Sequence, residues 1–305
     1  MESIHKTVLL NETIDGLLVP SKVEGNKNLI VLDCTFGGGG HSLGICRKFP
    51  GVRVIALDQD KSAFQKAEYK FKDLDCDIKF INSNFRDIDK VLAKENPGGV
   101  DAVIFDLGLS SDQLENSGRG FSFLKAEEPL LMTYKSNPDS EDLTARDILN
   151  NWGDEKIAEI FKNFGEERFY KRIAGAAVAA RKEKPFYKVG DLVEVIRKNV
   201  PEFYIHQRIH FATRVFQALR IAVNNELEAL KEGLKNSFKI LKPQGRLLVI
   251  SFHSLEDRIV KEFLKNEKQA KKATVSASKP IRSSFDEIAK NPRSRSAKLR
   301  ACVKL

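Results

Sequence analysis

The sequence predicts an α/β fold of the Rossmann-like type: an open, largely parallel sheet interrupted by a mostly helical insertion. Three observations predict it. Short apolar runs alternate with charge-laced segments over the first third of the 305-residue chain, as parallel strands joined by crossover helices require. The first run, Leu29-Ile30-Val31-Leu32, ends in Asp33-Cys34-Thr35-Phe36 and then four consecutive glycines, Gly37 to Gly40. Such a turn lets the backbone pass close to a ligand, because glycine has no side chain and tolerates positive φ. Clear strand signals then disappear over residues 141–213 and return near the C-terminus.

The elements follow in order. Leu29 to Leu32 is a short buried strand. His41 to Phe49 reads as the first turns of a helix, Val52 to Leu57 as a second strand ending at Asp58, and Lys61 to Phe71 as a helix. Asp77 to Ile81 is a third strand. Phe85 to Glu95 is helical and stops at the breaker Asn96-Pro97-Gly98-Gly99. Val100 to Phe105 is a fourth strand, ending at Asp106. After a stretch rich in Gly, Ser and Asn (108–123), helices are expected over Leu143 to Asn150, Asp154 to Phe161, Glu166 to Glu183, Val189 to Lys198 and His206 to Thr213. One long helix, about Arg214 to Ile240, precedes a turn at Lys242-Pro243-Gln244-Gly245 and a strand from Arg246 to Ser251. Leu255 to Leu264 is helical, and Ala297 to Val303 is the last strand candidate. The expected division is a ligand-binding α/β domain of residues 1–117 and 215–305, with 118–214 as the helical insertion.

The formal charge of +9 is unevenly placed: from Lys265 to Leu305 there are 12 basic and 3 acidic residues, so this tail carries the whole excess. A localised basic segment favours a polyanion such as RNA over a solvated face. No apolar run approaches the roughly 18 residues of a membrane span, and Met1 to Leu10 does not read as a signal peptide. Cys34, Cys46, Cys76 and Cys302 show no CxxC spacing. They are expected as free thiols in a reducing, cytoplasmic compartment, and no metal site is expected.

The glycine run is neither a Walker A loop, lacking Gly-Lys-Ser/Thr, nor a dinucleotide fingerprint, lacking GxGxxG spacing. A nicotinamide oxidoreductase is therefore poorly supported. Asp58, about 18 residues beyond the glycines at the end of the next strand, can accept hydrogen bonds from a ribose, and Asp106 ends the fourth strand, where ligands of open sheets sit. S-adenosylmethionine fits: its ribose suits Asp58, its amino acid portion suits a glycine turn and a carboxylate, and its sulfonium tolerates nearby acids.

The motifs carry a definite resemblance. The stretches are His5-Lys6-Thr7-Val8-Leu9-Leu10, Asp33 to Ser42, Asn84-Phe85-Arg86-Asp87, Asp106-Leu107-Gly108-Leu109-Ser110-Ser111 and Arg119-Gly120-Phe121-Ser122-Phe123. They continue with Phe216 to Asn224, Ser251-Phe252-His253-Ser254-Leu255-Glu256-Asp257-Arg258 and Asn291 to Arg300. Over nearly its full length the chain resembles the bacterial RsmH (MraW) family. The resemblance implies a Rossmann-like class I methyltransferase fold. It also implies transfer of a methyl group from S-adenosylmethionine to N4 of a cytidine in small-subunit (16S) ribosomal RNA, near the decoding site. It places Gly39, Gly40 and His41 against the cofactor, Asp58 on its ribose and Phe85 near its adenine, with Asp106 and Gln113 reaching it. Departures from the family pattern are Cys34 for a usual glycine, Asp112 for a proline, Phe211 for a proline and Val215 for a threonine. The largest is Leu131-Met132-Thr133-Tyr134, where the family shows Asp-Met-Arg-Met.

Cytosine N4 is a poor nucleophile, so placement in line with the methyl and acceptors aimed at its hydrogens matter most. Asp106, Ser110 and His253 are the catalytic candidates; His253 is equally readable as a helix-start packing residue. A cytidine in folded RNA must leave its stack to be reached. Arg168, Lys171, Arg172 and Arg214 in or beside the insertion, and Arg293 and Arg295 in the tail, are candidate phosphate contacts. Arg168, Lys171 and Arg172 are spaced to share one helix face. Two alternatives remain: a methyltransferase of another RNA base, and a non-catalytic RNA-binding assembly factor, encouraged by Leu131 and Thr133. A homodimer is allowed by these residues and not specified by them.

Overall fold

The computed structural model describes residues 7–17, 29–65 and 67–305; His5 and Lys6 of the first matching stretch lie outside them. The chain divides into two compact units, one reaching to Ser110 and resuming over Leu227–Leu305, the other spanning Ser111–Glu226.

Seven strands form the sheet of the first unit: β1 (Ile30–Asp33), β2 (Val52–Asp58), β3 (Cys76–Asn82), β4 (Val100–Asp106), β5 (Leu241–Ser251), β6 (Ala273–Val275) and β7 (Lys298–Lys304). Their order is β3-β2-β1-β4-β5-β7-β6. The first five are parallel, whereas β7 runs antiparallel to β5 and β6. Helices α1 (Leu10–Leu17), α2 (Gly40–Lys48), α3 (Glu68–Phe71) and α4 (Ile88–Glu95) belong to this unit. The second unit holds α5 (Ser111–Asn116), α6 (Ala145–Asn151), α7 (Asp154–Asn163), α8 (Tyr170–Glu183), α9 (Val189–Lys198), α10 (Glu202–Ile205) and α11 (Thr213–Asn224). The first unit resumes with α12 (Glu226–Ile240), α13 (Ser254–Gln269) and α14 (Phe285–Lys290).

The near-continuous apolar strands are explained by burial on both faces. Leu32, Ile55, Val103, Phe105 and Val249 point to one side, onto Leu92 of α4, Leu234 of α12 and Val260 of α13. Their neighbours Val31, Val54, Ala56, Ile104 and Leu248 point to the other, onto Leu17, Ile45 and Phe71. This period of two fixes register, since a one-residue slip would exchange the two faces. The order reverses between β1 and β4, the switch point at which open α/β sheets bind ligands beyond their carboxyl ends.

Several expectations are corrected. The helix expected over Lys61 to Phe71 is a 3₁₀ turn, Lys61–Phe64, followed by α3, because the Asp60 carboxylate accepts the Ser62 N–H (3.1 Å) and tightens the start. The helix expected from Glu166 starts at Tyr170, since Glu166 is left-handed (φ 49°). No helix covers His206 to Thr213. There the His210 ring stacks on Phe123 (4.3 Å) and Phe211 (4.2 Å), and its Nδ1 accepts the Ala212 N–H (3.2 Å), so a side chain takes the place of a helical carbonyl. The single long helix is two, broken at Asn225 in the left-handed region (φ 49°). The turn at Lys242–Gly245 is an excursion within β5: Leu241 pairs with Val100, and Arg246 with Ala102. Cys46 and Cys76 are not free thiols but a disulfide, with Cα atoms 5.5 Å apart. The end of α2 and the start of β3 meet in space, which spacing along the chain does not reveal. Cys34 and Cys302 are free and buried. Among the described residues, no helix is long and apolar enough to cross a membrane.

Candidate active site

The loop after β1 is fastened to both neighbouring strands. The Cys34 N–H donates to the Ile104 carbonyl (2.9 Å) and the Phe36 N–H to the Leu57 carbonyl (2.8 Å). The Thr35 hydroxyl accepts the Asp106 N–H at 2.6 Å. Gly39 has φ 76°, and a Cβ there would lie 2.6 Å from the Phe36 ring. A Cβ on Gly40 would fall 1.7 Å from the Thr7 hydroxyl oxygen. Both glycines are therefore required by the protein's own packing, before any ligand is considered.

Three carboxylates stand at the ends of β1, β2 and β4, each in a different environment. Asp33 is fully buried; its Oδ2 accepts the Ser42 hydroxyl (2.6 Å) and its Oδ1 the Thr35 N–H (3.2 Å). Burial raises its pKa although Ser42 and the His41 charge oppose the rise. Asp58 accepts the Gly37 N–H (2.7 Å) and the Asp60 N–H (2.8 Å). Burial pushes its carboxyl up to about 6, against those two bonds. Asp106 keeps about 20% of its side chain exposed. Its Oδ2 lies 3.4 Å from Nδ1 of His41, while its Oδ1 is buried and has no hydrogen-bond partner among the described residues.

His41 is itself buried, with Nε2 3.1 Å from the Val8 carbonyl. Burial alone would lower its pKa, but the hydrogen bond to Asp106 and the charges of Asp106 and Asp33 raise it overall. With an acceptor at each nitrogen, the protonated form of the ring is favoured, and it faces the Asp106 carboxylate. The result is an acceptor at the end of β4 with one oxygen facing His41 and the other buried without a hydrogen-bond partner among the described residues. An unpaired buried carboxylate oxygen is costly, so a donor that reached it would be favoured.

The remaining candidates are distributed as follows. Ser110 lies beside the glycine turn: a Cβ on Gly37 would be 3.5 Å from its Cβ. The half-buried Phe85 ring meets Phe105 edge-on at 5.5 Å. Gln113 lies on α5, in the second unit. His253 is the N-cap of α13: its Nδ1 accepts the Glu256 N–H (3.4 Å), and Glu256 Oε2 accepts the His253 N–H (3.3 Å). This capping box gives His253 a structural task.

Arg168 precedes α8 rather than sharing a helical face with Lys171 and Arg172, and its guanidinium lies 5.7 Å from the Phe169 ring centroid. Lys171, Arg172, Arg293 and Arg295 are exposed. Arg214 donates to the Glu166 carbonyl at 2.9 Å. Asp33, Thr35 and Ser42, which brace the site, were visible in the glycine-loop motif but not separable there from ordinary strand-end residues.

A family model described as the MraW methylase family matches residues 2–305. The chain belongs to the MraW methylase family. Among curated relatives, this MraW-family chain is 43% identical over 302 residues to a protein of Dictyoglomus thermophilum named "Ribosomal RNA small subunit methyltransferase H", covering 98% of this chain and 96% of the relative. A Clostridium botulinum protein of the same name is 41% identical over 321 residues, covering all of both chains. A solved rRNA methylase from Streptococcus thermophilus is 12% identical over 98% of each chain, with a TM-score of 0.45.

The Leu131–Tyr134 departure from the MraW pattern is satisfied locally. The carbonyls of Thr133 and Tyr134 accept from Arg119 (3.3 and 2.7 Å), and the Tyr134 hydroxyl donates to Glu226 (2.8 Å), which also pairs with Arg220 (2.8 Å). No side-chain polar atom of Leu131–Tyr134 is buried without a partner.

Proposed function

We propose that the chain transfers a methyl group from S-adenosylmethionine to N4 of a cytidine in small-subunit (16S) ribosomal RNA. Membership of a methylase family and the names of full-length relatives support the reaction class and the substrate. The observation that carries the site is the Asp106 carboxylate at the switch point, with Oδ2 facing His41 and Oδ1 buried and unpartnered among the described residues. When bound, the cofactor supplies an electrophilic methyl group on a sulfonium.

The donor set suits that cofactor. Asp106 Oδ1 accepts from the cofactor ammonium or from the N4 hydrogens of cytosine. The Asp58 oxygens retain lone pairs for ribose hydroxyls beyond the two backbone bonds they accept. Phe85 offers a ring for the adenine. Gly39, Gly40, His41 and Gln113 complete the proposed cofactor set, and Ser110 the base pocket. His41 contributes by holding Asp106 in orientation. Residues 118–214, with Arg168, Lys171, Arg172 and Arg214, and the tail arginines Arg293 and Arg295 hold RNA phosphates. The proposed location is the cytoplasm and the target lies near the decoding site. The Cys46–Cys76 disulfide is the observation that runs against this location, since such bridges are rare in reducing compartments.

The test is methyl transfer from labelled S-adenosylmethionine to small subunits lacking the modification, with the RNA digested and its nucleosides identified by mass spectrometry. N4-methylcytidine is expected, and Asp106→Ala in a folded protein should abolish it. A different methylated nucleoside, or cofactor binding with no transfer to subunits that a related enzyme methylates, overturns the reading.

A further inference from the structure

One exposed side chain on the first unit is not explained by packing. Phe285, the first residue of α14, is 92% exposed. Single exposed apolar residues are common on protein surfaces, so the surroundings decide what this one means. The segment around Phe285 is a closed loop. At its base Ile281 and Leu299 exchange both backbone hydrogen bonds (2.9 Å each). Ser284 caps α14 by accepting the Glu287 N–H (3.1 Å), and the Glu287 carboxylate in turn accepts the Leu9 N–H (2.8 Å). The ring is thus presented from a backbone held at three places.

The position of that loop is also defined. Leu9 follows Val8, whose carbonyl meets His41 Nε2 (3.1 Å), and His41 Nδ1 faces Asp106 (3.4 Å). Three polar contacts therefore connect α14 to the carboxylate proposed to act in transfer. The exposed charged residues of the loop are Arg282, Lys290, Arg293 and Arg295 against the single exposed acid Asp286. A solvent-facing ring on a tethered backbone, in a loop that also carries exposed cations, is an arrangement that can bind unpaired nucleotides: the ring stacks on a base of any identity while the cations hold phosphates.

We propose that Phe285 is a stacking platform for an unpaired base of the RNA substrate, with Arg282, Lys290, Arg293 and Arg295 engaging the adjoining phosphates. This rests on the reading of the chain as an enzyme acting on small-subunit RNA. It accounts for how a splayed target could be held: a neighbouring base leaves its own stack and gains a replacement on the protein.

The test measures the dissociation constant for small ribosomal subunits lacking the modification, by filter binding, alongside methyl transfer and S-adenosylmethionine affinity. Phe285→Ala and Phe285→Leu should each weaken subunit binding about tenfold, whereas Phe285→Trp should match or exceed the native protein. Cofactor affinity should be unchanged in all three. Native binding by Phe285→Ala overturns the proposal. Full rescue by Phe285→Leu also overturns it, assigning the ring to an apolar contact with protein, and so does a parallel loss of cofactor affinity, which marks a structural role. The two readings fail separately. Methyl transfer that persists while binding ignores position 285 removes the stacking alone; subunit binding sensitive to position 285 without transfer removes the catalytic reading alone.

Discussion

At the scale of single residues, the site is organised by how its carboxylates differ. Asp106 faces the His41 ring at 3.4 Å, whereas Asp58 is held by two backbone N–H groups and carries a pKa of about 6 because burial outweighs them. Asp58 is raised above its unfolded value, so the proton is favoured by the fold. Its stabilising contribution is complete below about pH 4 and is lost as pH rises through about 6. At neutral pH the ionised carboxylate is a cost that ribose hydroxyls can relieve. Affinity for S-adenosylmethionine should accordingly fall about tenfold between pH 7 and pH 5 as Asp58 takes up a proton. Isothermal titration calorimetry across that range checks this. Asp58→Asn should bind more weakly at pH 7 and show a flattened profile; an equally steep profile in the variant assigns the titration to another group.

At the scale of elements, His253 shows how a sequence motif divides between chemistry and architecture. Its place at the end of a late strand makes it a catalytic candidate, and its Nδ1 and backbone N–H also take part in starting α13. His253→Ala should lower stability by about 1 kcal/mol through loss of the cap, and His253→Asn, which can cap equally, should recover it in thermal denaturation. Methyl transfer that recovers with His253→Asn assigns the residue to the helix; transfer that stays lost despite restored stability assigns it to the reaction. Elements were legible in the sequence where local and global preferences agree. The apolar strands ending at Asp33, Asp58 and Asp106 are examples, because burial on both faces forces an unbroken apolar run and the site needs an acid beyond it. They were illegible where a long-range contact overrides a local pattern. His210 stacks on two aromatic neighbours outside any helix, and Asn225 in the left-handed region separates α11 from α12. β6 is only three residues long and lies in a polar tail, so it carries no periodic signal. The Cys46–Cys76 pair depends on where α2 and β3 meet, and the unpartnered oxygen of Asp106 on how His41 turns; neither is encoded in spacing.

At the scale of the whole molecule, charge rather than shape distinguishes the C-terminal segment. The sequence is otherwise neutral, and residues 265–305 carry the entire net excess of +9. Part of that charge is internally committed: Lys298 and Arg300 both pair with Asp257 (2.9 and 2.7 Å), which holds the Asp257 carboxyl below its usual range although burial opposes this. Arg293 and Arg295 have exposed side chains, as do Lys171 and Arg172 in the second unit. Binding through phosphates releases counterions, so the logarithm of affinity falls linearly with the logarithm of salt concentration, by roughly 0.7–0.9 per contact. Replacing both Arg293 and Arg295 with alanine should therefore make that slope shallower by about 1.5, and the Lys171/Arg172 double variant should do the same. Neither change should alter which nucleoside is methylated, because phosphate contacts supply affinity and register rather than base choice. Filter binding to small subunits over a salt series gives the slope directly. A pair whose removal leaves the slope unchanged belongs to solvated surface, and the RNA-contacting face is then the one marked by the other pair.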